Sequence, residues 1–273
     1  MLFALKLVLV AASVLLASLA SRRWGHAVAG TLAGLPVIAG PIMAFVLWQQ
    51  PPEQGRAIAL ATLVCLPATI LHLWTYAQLA MLGWRWPAGL AGANLAFVVV
   101  GWALSQASLP PLAMVAAALA APPVGLLCMR RVVARAARAE QLPAAVQVPS
   151  AELAMRVLVA VAMAAAVMGG ADVLPPWASG LLLAVPIAGN VLPCFTLPRY
   201  GAAATVALLA GFVKGLSGFA VFFAALYLGL PALGRGPALL TGVAAALVTA
   251  RLAYWWTRRA TPAAHAGPSP SGR

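Results

Sequence analysis

Acidic residues are almost missing from this chain: its 273 residues include four Asp and Glu in all, against seventeen Lys and Arg and three His. The four are Glu53, Glu140, Glu152 and Asp172, and each falls at the end of an apolar run or between two runs. With no carboxylate inside a run, the usual mid-membrane ligand for Na⁺ or a coupling proton is absent. An Asp-rich cluster for Mg²⁺ and an HExxH pair are also lacking, which argues against metal-dependent phosphate or peptide chemistry. Cysteine is equally scarce. Cys65, Cys128 and Cys194 lie singly in three separate runs with no CxxC or Cys/His pairing, so neither a disulfide framework nor a metal site is expected. No cofactor is expected either.

Charge of both signs is low. Only 8% of the residues are charged and 64% are apolar, whereas a soluble domain carries about 25% charged residues. A soluble fold of this length could not cover so much apolar surface. Nine apolar stretches, approximately 2–20, 27–48, 57–82, 87–105, 110–129, 153–170, 176–196, 202–229 and 237–256, are close to the roughly 20 residues that cross a bilayer as a helix. The fold class that follows is an all-α integral membrane protein, a polytopic bundle of about nine transmembrane helices. The first stretch ends directly on Arg22-Arg23, which fits a retained helix better than a cleaved signal.

The net charge of +13 does not point to nucleic acid, because the basic residues sit mostly between the runs. With the N-terminus outside, ten arginines (Arg22, Arg23, Arg85, Arg130, Arg131, Arg135, Arg138, Arg199, Arg258 and Arg259) lie on the inner side and only Arg56 and Arg235 outside. That asymmetry matches the positive-inside rule. It also places anionic lipid at the inner face as a partner, at about 1 kcal/mol per Arg. The organisation expected is a first membrane repeat with a linking helix over 1–129, a basic cytoplasmic loop over 130–151, a second membrane repeat over 152–257 and a disordered cytoplasmic tail over 258–273. Trp24, Trp84, Trp86, Trp177, Tyr200, Tyr254, Trp255 and Trp256 cluster at run ends, as interfacial anchors do.

An internal repeat emerges at an offset of 150 positions. Leu5-Lys6-Leu7-Val8 resembles Met155-Arg156-Val157-Leu158, Gly30 falls on Gly180, and Leu35-Pro36 on Val185-Pro186. Pro36-Val37-Ile38-Ala39-Gly40 then parallels Pro186-Ile187-Ala188-Gly189 with one residue deleted, and the following long runs end at Gly83 and Gly229. Runs 1–4 would thus correspond to runs 6–9, joined by run 5. An odd number of crossings between copies inverts one relative to the other, a plan that recurs in secondary transporters with sites near the midplane.

Within the second half, Lys214 lies in Gly211-Phe212-Val213-Lys214-Gly215-Leu216-Ser217-Gly218. A lysine at mid-membrane costs about 2.5–3.5 kcal/mol on insertion scales, so it faces a bundle interior or a wet cavity. Only two lysines occur beside fifteen arginines, and lysine, unlike arginine, can shed its proton when desolvated. The substrate-binding candidates are Lys214, His72, Asn190, Ser217 and Thr69. The hinge candidates are Pro67, Gly215, Gly218 and Gly189. Thr69, His72, Tyr76 and Gln78 could share one polar stripe, and Asn94 should also face protein. Gly215-Leu216-Ser217-Gly218 resembles the GxSG motif of rhomboid intramembrane proteases, but such an enzyme pairs its serine with a later histidine. The one later histidine here is His265, in the polar tail.

These observations lead to an expectation of a secondary transporter or exporter, not an enzyme, moving a small anionic or neutral solute across a bacterial inner membrane around Lys214. The broad plan looks like that of transporters with paired five-helix repeats, such as drug/metabolite exporters, although no specific motif of that family occurs. The competing expectations are a non-catalytic subunit or assembly factor that binds partner helices, and, less favoured, a membrane-embedded enzyme.

Overall fold

The computed structural model describes residues 2–37, 39–139, 148–171 and 185–259, and every regular element among them is an α-helix. Glu140, Asp172, Trp177, Gly180 and the tail from residue 260, with His265, lie outside the described residues. The helices are α1 (Leu2–Trp24), α2 (His26–Gly34), α3 (Ala39–Gln49), α4 (Pro52–Met81), α5 (Trp86–Gln106), α6 (Pro111–Ala139), α7 (Ser150–Ala171), α8 (Ile187–Leu233) and α9 (Arg235–Arg259).

Six stretches among the described residues are long and apolar enough to cross a membrane: 7–24, 26–49, 52–81, 86–106, 111–139 and 187–233. This is a multi-pass membrane protein. The expected count of about nine is met only to that extent. The long α8 takes up two of the expected runs. Arg156 lies inside the expected run of α7 and Arg251 inside that of α9, while Glu152, Arg235, Arg258 and Arg259 stand at the run ends.

The ends of the helices have local causes. α4 closes in a Schellman motif: Trp84 N–H donates to the Leu79 carbonyl and Gly83 N–H to the Ala80 carbonyl, both at 3.1 Å. This needs a left-handed residue after the helix, and Gly83 supplies it at φ 79°. Pro52 then sits in the first turn of α4, where its missing N–H leaves no helical bond unmade. The expected span 27–48 is broken into α2 and α3, because Leu35 is extended (ψ 156°) ahead of Pro36. α8 bends at Gly201, where φ 79° and ψ −177° lie outside the helical range, giving arms 187–200 and 202–233.

Elsewhere helices run on through internal prolines. α4 continues past Pro67 and α6 past Pro122-Pro123. α6 also extends to Ala139, so residues 130–139 of the expected basic loop are helical.

α8 is the hub, packing against α2, α4, α6 and α9, while α4 carries α5 and α6, and α1 lies against α2 and α7. The main core combines Leu63, Leu66 and Leu73 of α4, Met129 of α6, and Leu209, Val213 and Phe222 of α8. A smaller core joins Val14 and Ala17 of α1, Ala160 of α7, and Leu192 and Leu208 of α8. The outer faces are greasy, with Leu95 of α5, Leu112 of α6, and Leu240 and Leu252 of α9 all more than 60% exposed, as a lipid-facing surface requires.

The closest crossing joins α2 to the 202–233 arm. A Cβ added at Gly30 would overlap the Leu208 carbonyl oxygen, one at Gly211 the Ala27 carbonyl, and one at Gly34 or Gly215 the backbone of the other helix. Gly30 and Gly34 on one side and Gly211 and Gly215 on the other thus form two GxxxG ridges in backbone contact. In lipid, apolar burial does not drive helices together, so association depends on such close approach. Gly215 and Gly218, expected as hinges, sit in unbroken helix. Gly215 is filled by α2, and Gly218 by Leu35 and the Ala246 backbone. The left-handed break in α8 is at Gly201 instead.

Candidate functional site

Polar side chains are costly in a bundle of this kind, so where they meet is informative. α4 presents His72 and Tyr76 one turn apart, and the 187–200 arm presents Asn190 and Cys194 one turn apart, so the two helices face each other as two rungs. On the first rung the His72 ring lies nearest the backbone of Gly189 and of Ala93, with neither contact reaching hydrogen-bond geometry. On the second, the Tyr76 hydroxyl donates a long contact of 4.0 Å to Cys194 Sγ. α5 completes the group: Asn94 Nδ2 donates to Asn190 Oδ1 at 2.9 Å and to the Leu90 carbonyl at 3.1 Å.

This cluster sits where the 187–200 arm begins. Asn190 N–H donates to the Pro186 carbonyl at 2.9 Å, and its side-chain Nδ2 donates to the same oxygen at 3.2 Å. The first amides of a helix have no partner of their own and carry the positive end of its dipole. Gly189 brings that end within reach of α4, since a Cβ there would press on Leu73 at 3.1 Å. His72 is 0% exposed, packs edge-on to Phe97, and has both ring nitrogens without a hydrogen-bond partner. A buried imidazole in that state calls for an explanation, and His26 beside Tyr200 shares it.

The other sequence candidates are distributed differently. Thr69 is occupied by its own helix, its hydroxyl donating to the Cys65 carbonyl at 3.2 Å. Pro67 is in the same helix one turn before Leu71, with no break. Lys214 and Ser217 lie on the 202–233 arm, where the partly exposed positions Ala207, Ala210, Lys214, Ser217 and Val221 recur at helical spacing. They form one narrow stripe of small residues around a single amine. Lys214 is engaged in an interaction of its own. The structure therefore brings together His72 and Asn190, and places Lys214 and Ser217 on a second face.

A charged cluster escaped the sequence reading. Arg156, treated there only as a marker of the repeat, is 2% exposed, with Nη2 at 2.6 Å and Nε at 3.1 Å from Glu152 Oε1. Arg199 Nη1 lies 3.1 Å from Glu152 Oε2, close enough for an ion pair but not aligned as a hydrogen bond. Around them, Phe195 faces Arg156 and the Tyr200 ring lies tilted against His26 at 4.9 Å. The signal that was available is the i, i+4 spacing of Glu152 and Arg156, the arrangement in which opposite charges pair on a helix. At another position Arg56 of α4 lies 4.5 Å over the Tyr227 ring and donates to its hydroxyl at 3.3 Å.

Asn190→Ala is expected to lower thermal stability by only about 1 kcal/mol, the range of single hydrogen bonds between membrane helices. Ligand affinity should fall about tenfold if the cluster binds one, the equivalent of one hydrogen bond. Thermal melts of purified protein with and without ligand read both quantities. No protein-family model matches this chain, and no curated protein or solved structure is significantly similar to it.

Proposed function

We propose that this protein is a secondary transporter or exporter, not an enzyme, for a small anionic or neutral solute, and that it belongs in a bacterial inner membrane with its N-terminus outside. The solute is taken between the start of the 187–200 arm and His72, with Lys214 supplying the charge on the adjoining face. The observation that carries this reading is His72: fully buried, unpartnered, and set against the first turn of a half-helix. Half-helix N-termini aimed at anionic groups are how several transporter folds hold substrate.

Two inverted halves are part of the proposal. In their favour, Gly40 N–H donates to the Pro36 carbonyl at 2.8 Å just as Asn190 N–H donates to Pro186 at 2.9 Å. This pairing keeps the 150-position offset and removes the deletion that the sequence comparison required. α4 and the 202–233 arm both pack on α6, and each hands on to its own outer helix, α5 or α9, through a left-handed glycine, Gly83 or Gly234. α6 then serves as the odd helix between the copies.

The test uses purified protein in proteoliposomes. A thermal-shift screen of small carboxylates, phosphates and neutral metabolites identifies a stabilising solute, since a ligand bound only to the folded state raises its stability by RT ln(1 + [L]/Kd). Counterflow of that solute is then measured for wild type, His72→Leu, Lys214→Ala and Lys214→Arg. Loss of counterflow in all three variants, with normal insertion, is the expected result. Full activity of both Lys214 variants removes the amine from the mechanism. An obligate partner at fixed stoichiometry, with no solute-induced shift, would favour a membrane subunit instead.

A further inference from the structure

A cleft lies on the outside of the bundle, away from the His72 cluster. It lies between α1 and α2, where α2 stops at Gly34 and the chain turns through Leu35, Pro36 and Val37, and has a volume of about 290 Å³. Its floor is Ala17 and Ala20, its sides include Leu16, Leu19 and Leu32, and Trp24 stands at one end. The charge is confined to that end. Ser13 at the other end spends its hydroxyl on the Val10 carbonyl at 2.9 Å. Arg23 is exposed, 5.7 Å from the Trp24 ring, in the last turn of α1.

We propose that this cleft is a binding site for one anionic phospholipid, an acyl chain lying along Leu16 and Leu19 and the headgroup phosphate held by Arg23. The charge and the greasy trough complement such a lipid end for end: one cation, one aromatic of the kind that sits at headgroup depth, and an otherwise apolar groove. A second copy of this chain would have to bring a carboxylate to Arg23, and the sequence has only four acids, with Glu152 already paired. Acyl chains gain nothing by leaving one hydrocarbon environment for another, so selectivity comes from the headgroup. One arginine near the surface should give about a fivefold preference for an anionic over a zwitterionic lipid.

Native mass spectrometry of the intact protein, titrated with phosphatidylglycerol and phosphatidylcholine of identical chains, reads that preference directly. The expected result is roughly a fivefold excess of the first bound lipid as phosphatidylglycerol, abolished by Arg23→Gln and by Leu16→Trp, which fills the trough. Leu19→Trp is the substitute if Leu16→Trp does not purify as a monodisperse species. Equal binding of the two lipids by wild type overturns the proposal. A preference lost in Arg23→Gln but untouched by the tryptophan variants also overturns it, because charge alone would then suffice without the cleft. So does a dimer in wild type that the tryptophan variants dissociate, because a second copy would then be the occupant.

Discussion

Gly30→Ala and Gly211→Ala should each lower the melting temperature of the purified protein by on the order of 10 °C, and the valine variants should not yield folded protein at all. The Cβ at either position lands on the carbonyl group of the facing helix. Backbone cannot rotate aside as a side chain can, so α2 and the 202–233 arm must move apart. Overpacking of this kind costs about 1–3 kcal/mol, occasionally more, and a chain of this size loses about 2–4 °C per kcal/mol. The loss is compounded because the same contact positions α2 against the hub. Gly40→Ala and Gly236→Ala are the controls: nothing lies within 4 Å of an added Cβ at either, so they should be neutral. Size-exclusion profiles after a heating series in detergent give all four values. An unchanged midpoint in Gly30→Ala would falsify the backbone contact between the two ridges.

Glu152→Gln is the second large expected effect, and its rank among its neighbours is as informative as its size. Removing the carboxylate leaves the Arg156 guanidinium, 2% exposed, without a counter-charge. Breaking a buried pair by removing one partner costs about 3–5 kcal/mol. Arg156→Leu should cost less, because Glu152 retains Arg199 at 3.1 Å and leucine refills part of the space beside Phe195. Arg199→Gln should cost least, about 0–1 kcal/mol, since its side chain is 46% exposed and solvent screens the pair. The double variant Glu152→Gln/Arg156→Leu should recover much of what Glu152→Gln loses, because no buried charge remains at Arg156. If the double variant melts at the sum of the two single losses, the two groups do not interact and the cluster is only a coincidence of position.

Particular residues show how far the sequence could be read. The left-handed glycines and paired prolines that end helices, Gly83 and Pro51-Pro52 among them, act on their own few neighbours and were legible as breaks between runs. Pro36 was legible as a repeated mark, but not as the point where a span divides. Pro67, by contrast, resembles a break and is not one: a proline inside a long helix removes one hydrogen bond, and Leu63, Leu66 and Leu73 on either side of it in sequence are buried in the core. His72 and Asn190 were both named as candidates, yet their meeting could not be read from spacing, since they come from helices 118 positions apart. Arg156 was passed over because its burial depends on where α7 lies against the 187–200 arm.

By itself the sequence determined the solvent and the kind of element. So few charges and such long apolar runs leave a chain no stable choice but helices in lipid, because hydrocarbon offers backbone amides no other partner. The tertiary structure alone decided which glycines are contacts and which are bends, and which polar groups share a site. Within lipid the apolar faces of helices are nearly interchangeable, so their pairing is chosen by close fit and a few polar contacts between distant segments. That choice leaves no periodic trace along the chain.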